Sequence, residues 1–188
     1  DLIWDNWVNN YVMGNPAPVF DILAWNNDST NLPAGLHHDY MTIFNENLLA
    51  RPGGFEVLGA PVDVGKITQD AIVVGTVTDH LTPWQGCYKT TQLLGGNAEF
   101  VLSSAGHVAG LVNPPGNPKA FYFTGPEPGP DPEQWRSQAQ KHSGSWWEYW
   151  VVWASSRSGR KKRASKTLGS LKHPVLASAP GTYIFEEP

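Results

Sequence analysis

An aspartate and a histidine each follow a short apolar run in this 188-residue sequence, at points where the chain is expected to turn. Asp79 comes after a predicted strand at 71–75, and His107 comes after the next predicted strand, at 98–103. The carboxyl ends of neighbouring parallel strands meet at one edge of a sheet. A carboxylate there can accept the Nδ1 proton of the imidazole, fix its tautomer and stabilise the imidazolium. The pair therefore predicts the acid and the base of a nucleophilic triad, in direct contact.

The same two residues have a structural alternative. Asp79 could cap the helix that starts near Pro83, and His107 could be an ordinary loop residue. His80 adjoins Asp79 and could tune a site there, although a neighbour of a catalytic residue is more often structural. His37 and His38 have no carboxylate or thiolate at ligand spacing, so we predict no metal site.

A nucleophile for the pair is not evident. The sequence contains no Gly-x-Ser-x-Gly or Gly-x-Cys-x-Gly segment, and in α/β-hydrolases the nucleophile precedes the acid. We reject Cys87 for this role, because it falls inside a predicted helix without the glycines of a nucleophile elbow, and interpret it as a small packing residue. We expect the chain to be the C-terminal part of an enzyme whose nucleophile lies upstream of Asp1.

The composition is that of a globular domain. Hydrophobic residues make up 40% of the chain, and no apolar run approaches the roughly 18 residues of a membrane helix. The net charge of -4 gives no indication of nucleic acid, and a single cysteine excludes an internal disulfide. Nine tryptophans imply rigid aromatic surface, either buried or kept for an apolar partner.

The elements that must position the pair are predicted from periodicity and punctuation. They are helices at 1–13 and 36–49, a small hairpin or two short edge strands within 55–64, the strands 71–75 and 98–103, a helix between these strands that Thr82 caps and Gly95-Gly96 ends, a surface loop over 113–132, and helices capped by Asp131 and Ser145. Strand, helix and strand form one βαβ unit.

The last helix carries Trp146, Trp150 and Trp153 on one stripe, which predicts that its indoles dock it on the sheet. Five of the seven residues in 157–163 are basic. We interpret this run as a solvated linker, with an anionic surface or a CoA phosphate as the alternative ligand.

Several longer segments resemble the polyhydroxyalkanoate synthases, and most closely the medium-chain-length type. They are Trp25–Pro33, Thr78–Trp84, Ser104–Gly110, Asn113–Lys119, Gly144–Trp147 and Ala179–Tyr183. Small flanks at Ala105 and Ala109 depart from the polar residues that the medium-chain-length enzymes often have, so the monomer length stays open.

The resemblance implies an α/β fold: the C-terminal part of an α/β-hydrolase fold, with parallel strands and flanking helices, plus the end of a cap subdomain. Residues 1–50 would end the cap, 51–155 would form the C-terminal half of the core, and 156–188 would be a basic tail containing Pro and Gly. Asp79 and His107 would belong to a Cys-His-Asp triad, with His80, Trp84, Ala105 and Ala109 adjacent to the site.

The implied reaction polymerises (R)-3-hydroxyacyl-CoA into polyhydroxyalkanoate with release of CoA. No cofactor is implied, since CoA is the carrier and leaving group. The expected partners are the growing polyester chain, the granule surface and a second subunit in a full-length homodimer, without nucleic acid or a membrane span. The expected location is cytoplasmic, on storage granules. An esterase or polyester depolymerase of the same fold and a non-catalytic granule-surface binding fragment are the alternatives.

Overall fold

A computed structural model of the chain describes residues 2–16, 30–179, 181 and 182. The chain divides into two compact units: Asp1–Gln69 with Leu93–Asn97, and Asp70–Gln92 with Ala98–Pro188. Most of the Trp25–Pro33 motif and part of the Ala179–Tyr183 motif lie outside the described residues. No helix within the described ranges is long and apolar enough to cross a membrane.

The first unit contains the two helices predicted near the start of the chain. Helix α1 spans Leu2–Asn6 and continues as a π-helical turn over Trp7–Val12. Helix α2 spans Ala34–Glu46 and ends where Asn47 takes a left-handed backbone conformation with φ of 50°. Both helix predictions are confirmed, within a few residues at each end.

The predicted hairpin is also present in this unit. Strand β1 (Glu56–Val57) pairs antiparallel with β2 (Ala60–Pro61). Leu58 and Gly59 form the turn with φ of 51° and 78°, the positive-φ backbone that two-residue hairpin turns require.

The second unit is built on a four-stranded mixed sheet. Its strands are β3 (Ala71–Thr76), β4 (Ala98–Ser103), β5 (Phe121–Thr124) and β6 (Gln140–Ser143), in the spatial order β3-β4-β5-β6. Strands β3 and β4 are parallel, with Ala71 opposite Ala98 and Thr76 opposite Ser103. The βαβ prediction and the α/β class are therefore confirmed.

The remaining strands correct the sequence-based expectation. Strand β5 pairs antiparallel with β4, and β6 pairs antiparallel with β5, so the parallel arrangement is limited to the first pair. Strand β5 lies inside the stretch 113–132, which was predicted to be a surface loop without regular structure. Four residues of aromatic and β-branched type suffice for a strand here because β4 already offers a buried edge.

The core of this unit is an aromatic cluster between the sheet and two short helices, α3 (Trp84–Lys89) and α4 (Pro132–Gln138). Its buried members are Trp84, Tyr88, Phe100, Leu102, Phe123 and Trp135. Tyr88 is fully buried, and its ring meets Phe100 edge-on with the centroids 5.0 Å apart. Such pairs contribute about 0.5–1.5 kcal/mol beyond their buried area.

The helix starts are partly as predicted. The Asp131 carboxylate accepts hydrogen bonds from the backbone N–H groups of Glu133 and Gln134, and Ser145 Oγ accepts one from Trp147 N–H. The prediction that Thr82 caps α3 is wrong. Pro83 occupies the cap position of α3, and the Thr82 hydroxyl binds Asp79 instead. Helix α3 also ends earlier than predicted, at Lys89.

The last helix, α5 (Trp146–Arg157), is attached to its unit by tryptophan N–H groups. Of the three indoles predicted to dock it on the sheet, only that of Trp153 hydrogen-bonds a strand residue in the described part of the chain. Trp153 Nε1 donates to the Glu99 carboxylate at the start of β4. Trp150, the middle member of the predicted stripe, stays 43% exposed. Arg157 lies 2.8 Å from the Asp70 carboxylate, so one of the five basic residues is ion-paired rather than solvated. Residues 158–179 are exposed and form no helix or strand.

Candidate active site

The two turns that carry the predicted acid and base run side by side. Strands β3 and β4 end level with each other, and the pairing continues beyond them: Val77 N–H donates to Ser103 O at 2.9 Å, and Thr78 N–H donates to Ala105 O at 3.1 Å. The chain then turns on both strands at the same sheet edge.

Asp79 and His107 meet at this edge. Nδ1 of His107 lies 3.0 Å from Oδ2 of Asp79. Because an ionised carboxylate can only accept, Nδ1 carries the proton and Nε2 of a neutral ring keeps its lone pair. The Asp79 side chain is 6% exposed and that of His107 is 44% exposed, so the carboxylate is enclosed while the ring reaches solvent. The predicted contact is present; the catalytic roles stay a prediction.

The Asp79 carboxylate also organises the turn before α3. Its Oδ1 accepts from the backbone N–H groups of Leu81 and Thr82, both at 2.9 Å. Its Oδ2 accepts from the Thr82 hydroxyl at 2.8 Å and from the buried Thr76 hydroxyl at 3.4 Å. The alternative that Asp79 caps α3 is not seen, because Pro83 occupies the cap position and no described side chain caps this helix. Asp79 instead fixes the turn that precedes α3, and its Oδ2 also contacts His107.

These donors keep Asp79 ionised. The backbone N–H of Thr82 is the main cause that holds the pKa of this carboxyl well below its usual range, and burial acts in the opposite direction. The Thr82 hydroxyl, His107 and the Leu81 N–H lower the pKa further. Hydrogen bonds to the charged form outweigh the cost of enclosing it. A permanent negative charge at Asp79 suits a group that orients an imidazole.

The turn that carries His107 has an unusual backbone. Ala105 and Val108, on either side of His107, have φ of 76° and 59°. Non-glycine residues rarely adopt this region, and a β-branched residue there is an outlier. One short turn follows, in which Gly110 N–H donates to Gly106 O at 3.0 Å and Leu111 N–H donates to Val108 O at 2.9 Å.

The four residues predicted to be adjacent to the site differ in their exposure to solvent. Ala105 and Ala109 are exposed on the His107 turn, and His80 is exposed beside Asp79. Trp84 is 9% exposed and belongs to the aromatic core, with its ring centroid 6.1 Å from that of Phe100. The Trp84 side chain thus anchors α3 to the aromatic core and does not line an open surface.

Cys87 has the surroundings of a packing residue. It lies within α3, half-buried against the aromatic cluster. Burial raises the pKa of its thiol, and the negative charge of Asp79 raises it further. A reactive cysteine needs the opposite, a lowered thiol pKa. This environment supports the rejection of Cys87 as nucleophile, which stays a prediction.

The described residues offer no group of His, Cys, Asp and Glu side chains arranged to hold a metal ion.

Three contributors to the site were missed from the sequence. Thr82 was assigned to α3 rather than to Asp79, although a hydroxyl three residues after a turn aspartate is a usable signal. Trp146 was assigned to the sheet and Trp147 was given no role of its own, but the indole N–H groups of both bind backbone carbonyls of the His107 turn. No local pattern could reveal those bonds, since they join residues about 35 apart.

The fold and the site define an α/β protein with an Asp–His pair at the carboxyl ends of two parallel strands. No protein-family model matches the sequence. The chain is 47% identical over 186 residues to poly(3-hydroxyalkanoate) polymerase 1 of Ectopseudomonas oleovorans, a match that covers 99% of this chain and 33% of that protein.

Two further relatives agree. Poly(3-hydroxyalkanoate) polymerase 2 of the same organism is 47% identical over 184 residues, covering 98% of this chain and 33% of the relative. A poly(3-hydroxyalkanoate) polymerase subunit of Cupriavidus necator is 38% identical over 189 residues, covering 98% and 31%. The chain belongs to the poly(3-hydroxyalkanoate) polymerase family, which confirms the resemblance seen in its motifs. It spans about a third of the length of these relatives.

Proposed function

We propose that this chain supplies the acid and the base of a polyhydroxyalkanoate polymerase active site on an α/β-hydrolase core. The observation that carries the proposal is the 3.0 Å contact between Asp79 Oδ2 and His107 Nδ1 at the carboxyl ends of β3 and β4. Asp79 is the orienting acid, and His107 is the general base through Nε2. The names of relatives at 47% identity support the choice of reaction over other triad chemistries.

The proposed reaction joins hydroxyacyl groups through a thioester. A cysteine outside the present sequence, deprotonated by His107, attacks the thioester carbonyl of a 3-hydroxyacyl-CoA, and the carbon–sulfur bond to CoA breaks, so that CoA leaves as its thiol. His107 then takes the proton from a 3-hydroxyl group while its oxygen attacks the enzyme-bound thioester. A new ester bond forms and the cysteine is released. CoA serves as carrier and leaving group, and the chemistry uses no metal or redox cofactor.

The further surroundings of the site belong to the same proposal. The growing polyester and its granule surface would be the partners, and the full-length protein would be a homodimer whose cap includes residues 1–50. A depolymerase or esterase would use the same Asp–His pair with water as the acceptor. The two activities are separated by their products, since the polymerase yields polyester and the hydrolase yields free hydroxy acid.

The test is CoA release from 3-hydroxybutyryl-CoA and a longer 3-hydroxyacyl-CoA by the full-length protein that contains this chain. We expect His107→Ala to abolish CoA release and Cys87→Ala to leave it within about twofold of wild type, because Cys87 packs inside α3. Near-normal CoA release by His107→Ala would remove His107 from the mechanism. Loss of activity with normal stability in Cys87→Ala would reinstate the thiol that we reject.

A further inference from the structure

The His107 turn is held in a conformation that its own residues do not favour. Ala105 and Val108 both have positive φ. Such a backbone is strained for residues with a side chain and persists only when the surrounding structure imposes it. Something outside the turn must therefore hold it.

The contacts that hold the turn converge on two backbone carbonyl groups just beyond His107. Gly110 O accepts from Ser103 Oγ at 2.8 Å and from Trp146 Nε1 at 3.1 Å. Leu111 O accepts from Trp147 Nε1 at 2.7 Å and from Trp146 Nε1 at 3.2 Å. Two adjacent indoles at the start of α5 thus provide three of these four hydrogen bonds.

The start of α5 is itself fixed to the segment that follows the turn. Ser145 is fully buried, and its hydroxyl donates to Asn113 O at 2.6 Å while accepting from Trp147 N–H. The indoles are therefore carried by a helix end whose own position is fixed. The backbone at Gly110 also lies very close to β3, because a Cβ at this position would lie 2.3 Å from Thr76 Cγ2.

We propose that Trp146 and Trp147 are positioning residues for His107. Their N–H groups hold the carbonyls of Gly110 and Leu111, and the short turn transmits this restraint to the imidazole, so that Nδ1 faces Asp79. The inference rests on the proposed function, because it assigns a role within the same site. Neither indole donates to Asp79 or His107; both bind the backbone that carries the base.

The test removes the N–H groups while keeping aromatic rings. In the full-length polymerase, Trp147→Phe is expected to lower kcat for CoA release about tenfold, and Trp146→Phe/Trp147→Phe about 10- to 100-fold, with KM within about twofold of wild type. The low-field proton NMR signal of His107 Nδ1, assigned by its loss in His107→Ala, should broaden or shift in the same variants.

Trp150→Phe is the matched control, since Trp150 lies on the same helix and its indole makes no hydrogen bond to any described residue. It should retain both kcat and the Nδ1 signal. Asp131→Ala serves as a comparison for stability alone: it removes the cap of α4 and lowers Tm but leaves α5 and both indole N–H groups unchanged, so the folded enzyme should keep a kcat near that of wild type.

Two results would overturn the inference. One is normal kcat and an unchanged Nδ1 signal in the double variant. The other is a loss of kcat that follows Tm equally in the double variant and in Asp131→Ala, which would indicate stability alone. If the double variant does not fold, Trp147→Phe by itself decides between these outcomes. Full activity of His107→Ala would contradict the proposed function, whereas an inactive His107→Ala beside normal indole variants would contradict only the positioning role.

Discussion

At the scale of single residues, the main feature of Asp79 is that both of its carboxylate oxygens accept hydrogen bonds from more than one donor. Leu81 and Thr82 N–H groups fix one oxygen, and the Thr82 hydroxyl and His107 share the other. An amide in place of the carboxylate would present an NH₂ group to at least one of these donors. The side chain would then lose its hydrogen bonds either to the turn or to the imidazole.

We expect Asp79→Asn to lower kcat of the full-length polymerase by several orders of magnitude, on the order of 10⁴ as in serine protease triads. The reason is that the variant favours the wrong imidazole tautomer. The measurement is CoA release at saturating substrate, with Asp39→Asn on the exposed face of α2 as control. A kcat within tenfold of wild type would show that Asp79 acts in the turn alone.

The lowered pKa of Asp79 also predicts a dependence of stability on pH. The pKa lies below its ordinary value of 3.8 in the folded protein, so the unfolded chain binds more protons between the two values. The contribution of Asp79 to the free energy of unfolding is complete above that window and is lost as pH falls through it. Urea midpoints between pH 5 and pH 2 should therefore fall more steeply for wild type than for Asp79→Asn. Parallel pH profiles would contradict this.

The pair itself could be predicted from the sequence at this scale. Two β-branched or apolar runs, one followed by Asp79 and the other by His107, are sufficient once the strands are known to be parallel. The supporting bonds could not be predicted, because Trp146 and Trp147 donate to backbone carbonyls, which any sequence offers at every position.

At the scale of elements, the buried strands were the most predictable part of the fold. Strand β4 was predicted with the bounds that it has, and β3 is one residue longer than predicted. Strands β5 and β6 were missed for different reasons. The first is four residues long and lies in a stretch rich in Pro and Gly. The second, Gln140–Ser143, is polar and largely exposed, without an apolar alternation. Both exist because a neighbouring strand offers them an edge.

The close contact between the His107 turn and β3 is an element-scale prediction. Gly110→Ala would place a methyl group 2.3 Å from Thr76 Cγ2 and 2.8 Å from Ser104 O. We expect a loss of about 2 kcal/mol in the free energy of unfolding, with activity reduced as well, because the turn must move away from the sheet. The measurement is the urea midpoint together with CoA release.

Gly86→Ala is its matched control. Gly86 lies inside α3 with open space where a Cβ would stand. Since alanine is favoured over glycine in a helix interior, this variant should gain about 0.5–1 kcal/mol and keep full activity. A similar destabilisation by both substitutions would mean that the contact at Gly110 is not the cause.

At the scale of the whole molecule, the chain corresponds to about a third of the polymerases it resembles. Family membership could be predicted from motifs spread along the chain, whereas the division into two compact units could not. That division follows from contacts between distant segments, such as Leu93–Asn97 with residues before Gln69. Sequence patterns report local periodicity and carry no information about such contacts.

The chain of residues 1–188 alone is expected to release no CoA from a 3-hydroxyacyl-CoA. An acid and a base without a nucleophile have nothing to activate, and the raised thiol pKa of Cys87 makes it a poor substitute. A thiol-reactive dye records CoA release directly, with the full-length polymerase as positive control. Turnover above the buffer rate would indicate a nucleophile within these residues.

The two edge strands of the four-stranded sheet, β3 and β6, differ in polarity, so a further strand is expected to pair with only one of them. Strand β6 is polar, and its Lys141 ammonium lies over the Phe121 ring, the kind of charged margin that discourages further pairing. Within the described part of the chain, β3 pairs on one side only, and its residues are mostly apolar, with the last two buried and the others half-buried. Any additional strand, whichever polypeptide supplies it, would therefore join beside β3, and the Asp79–His107 pair would then stand in the interior of a wider sheet rather than at its margin.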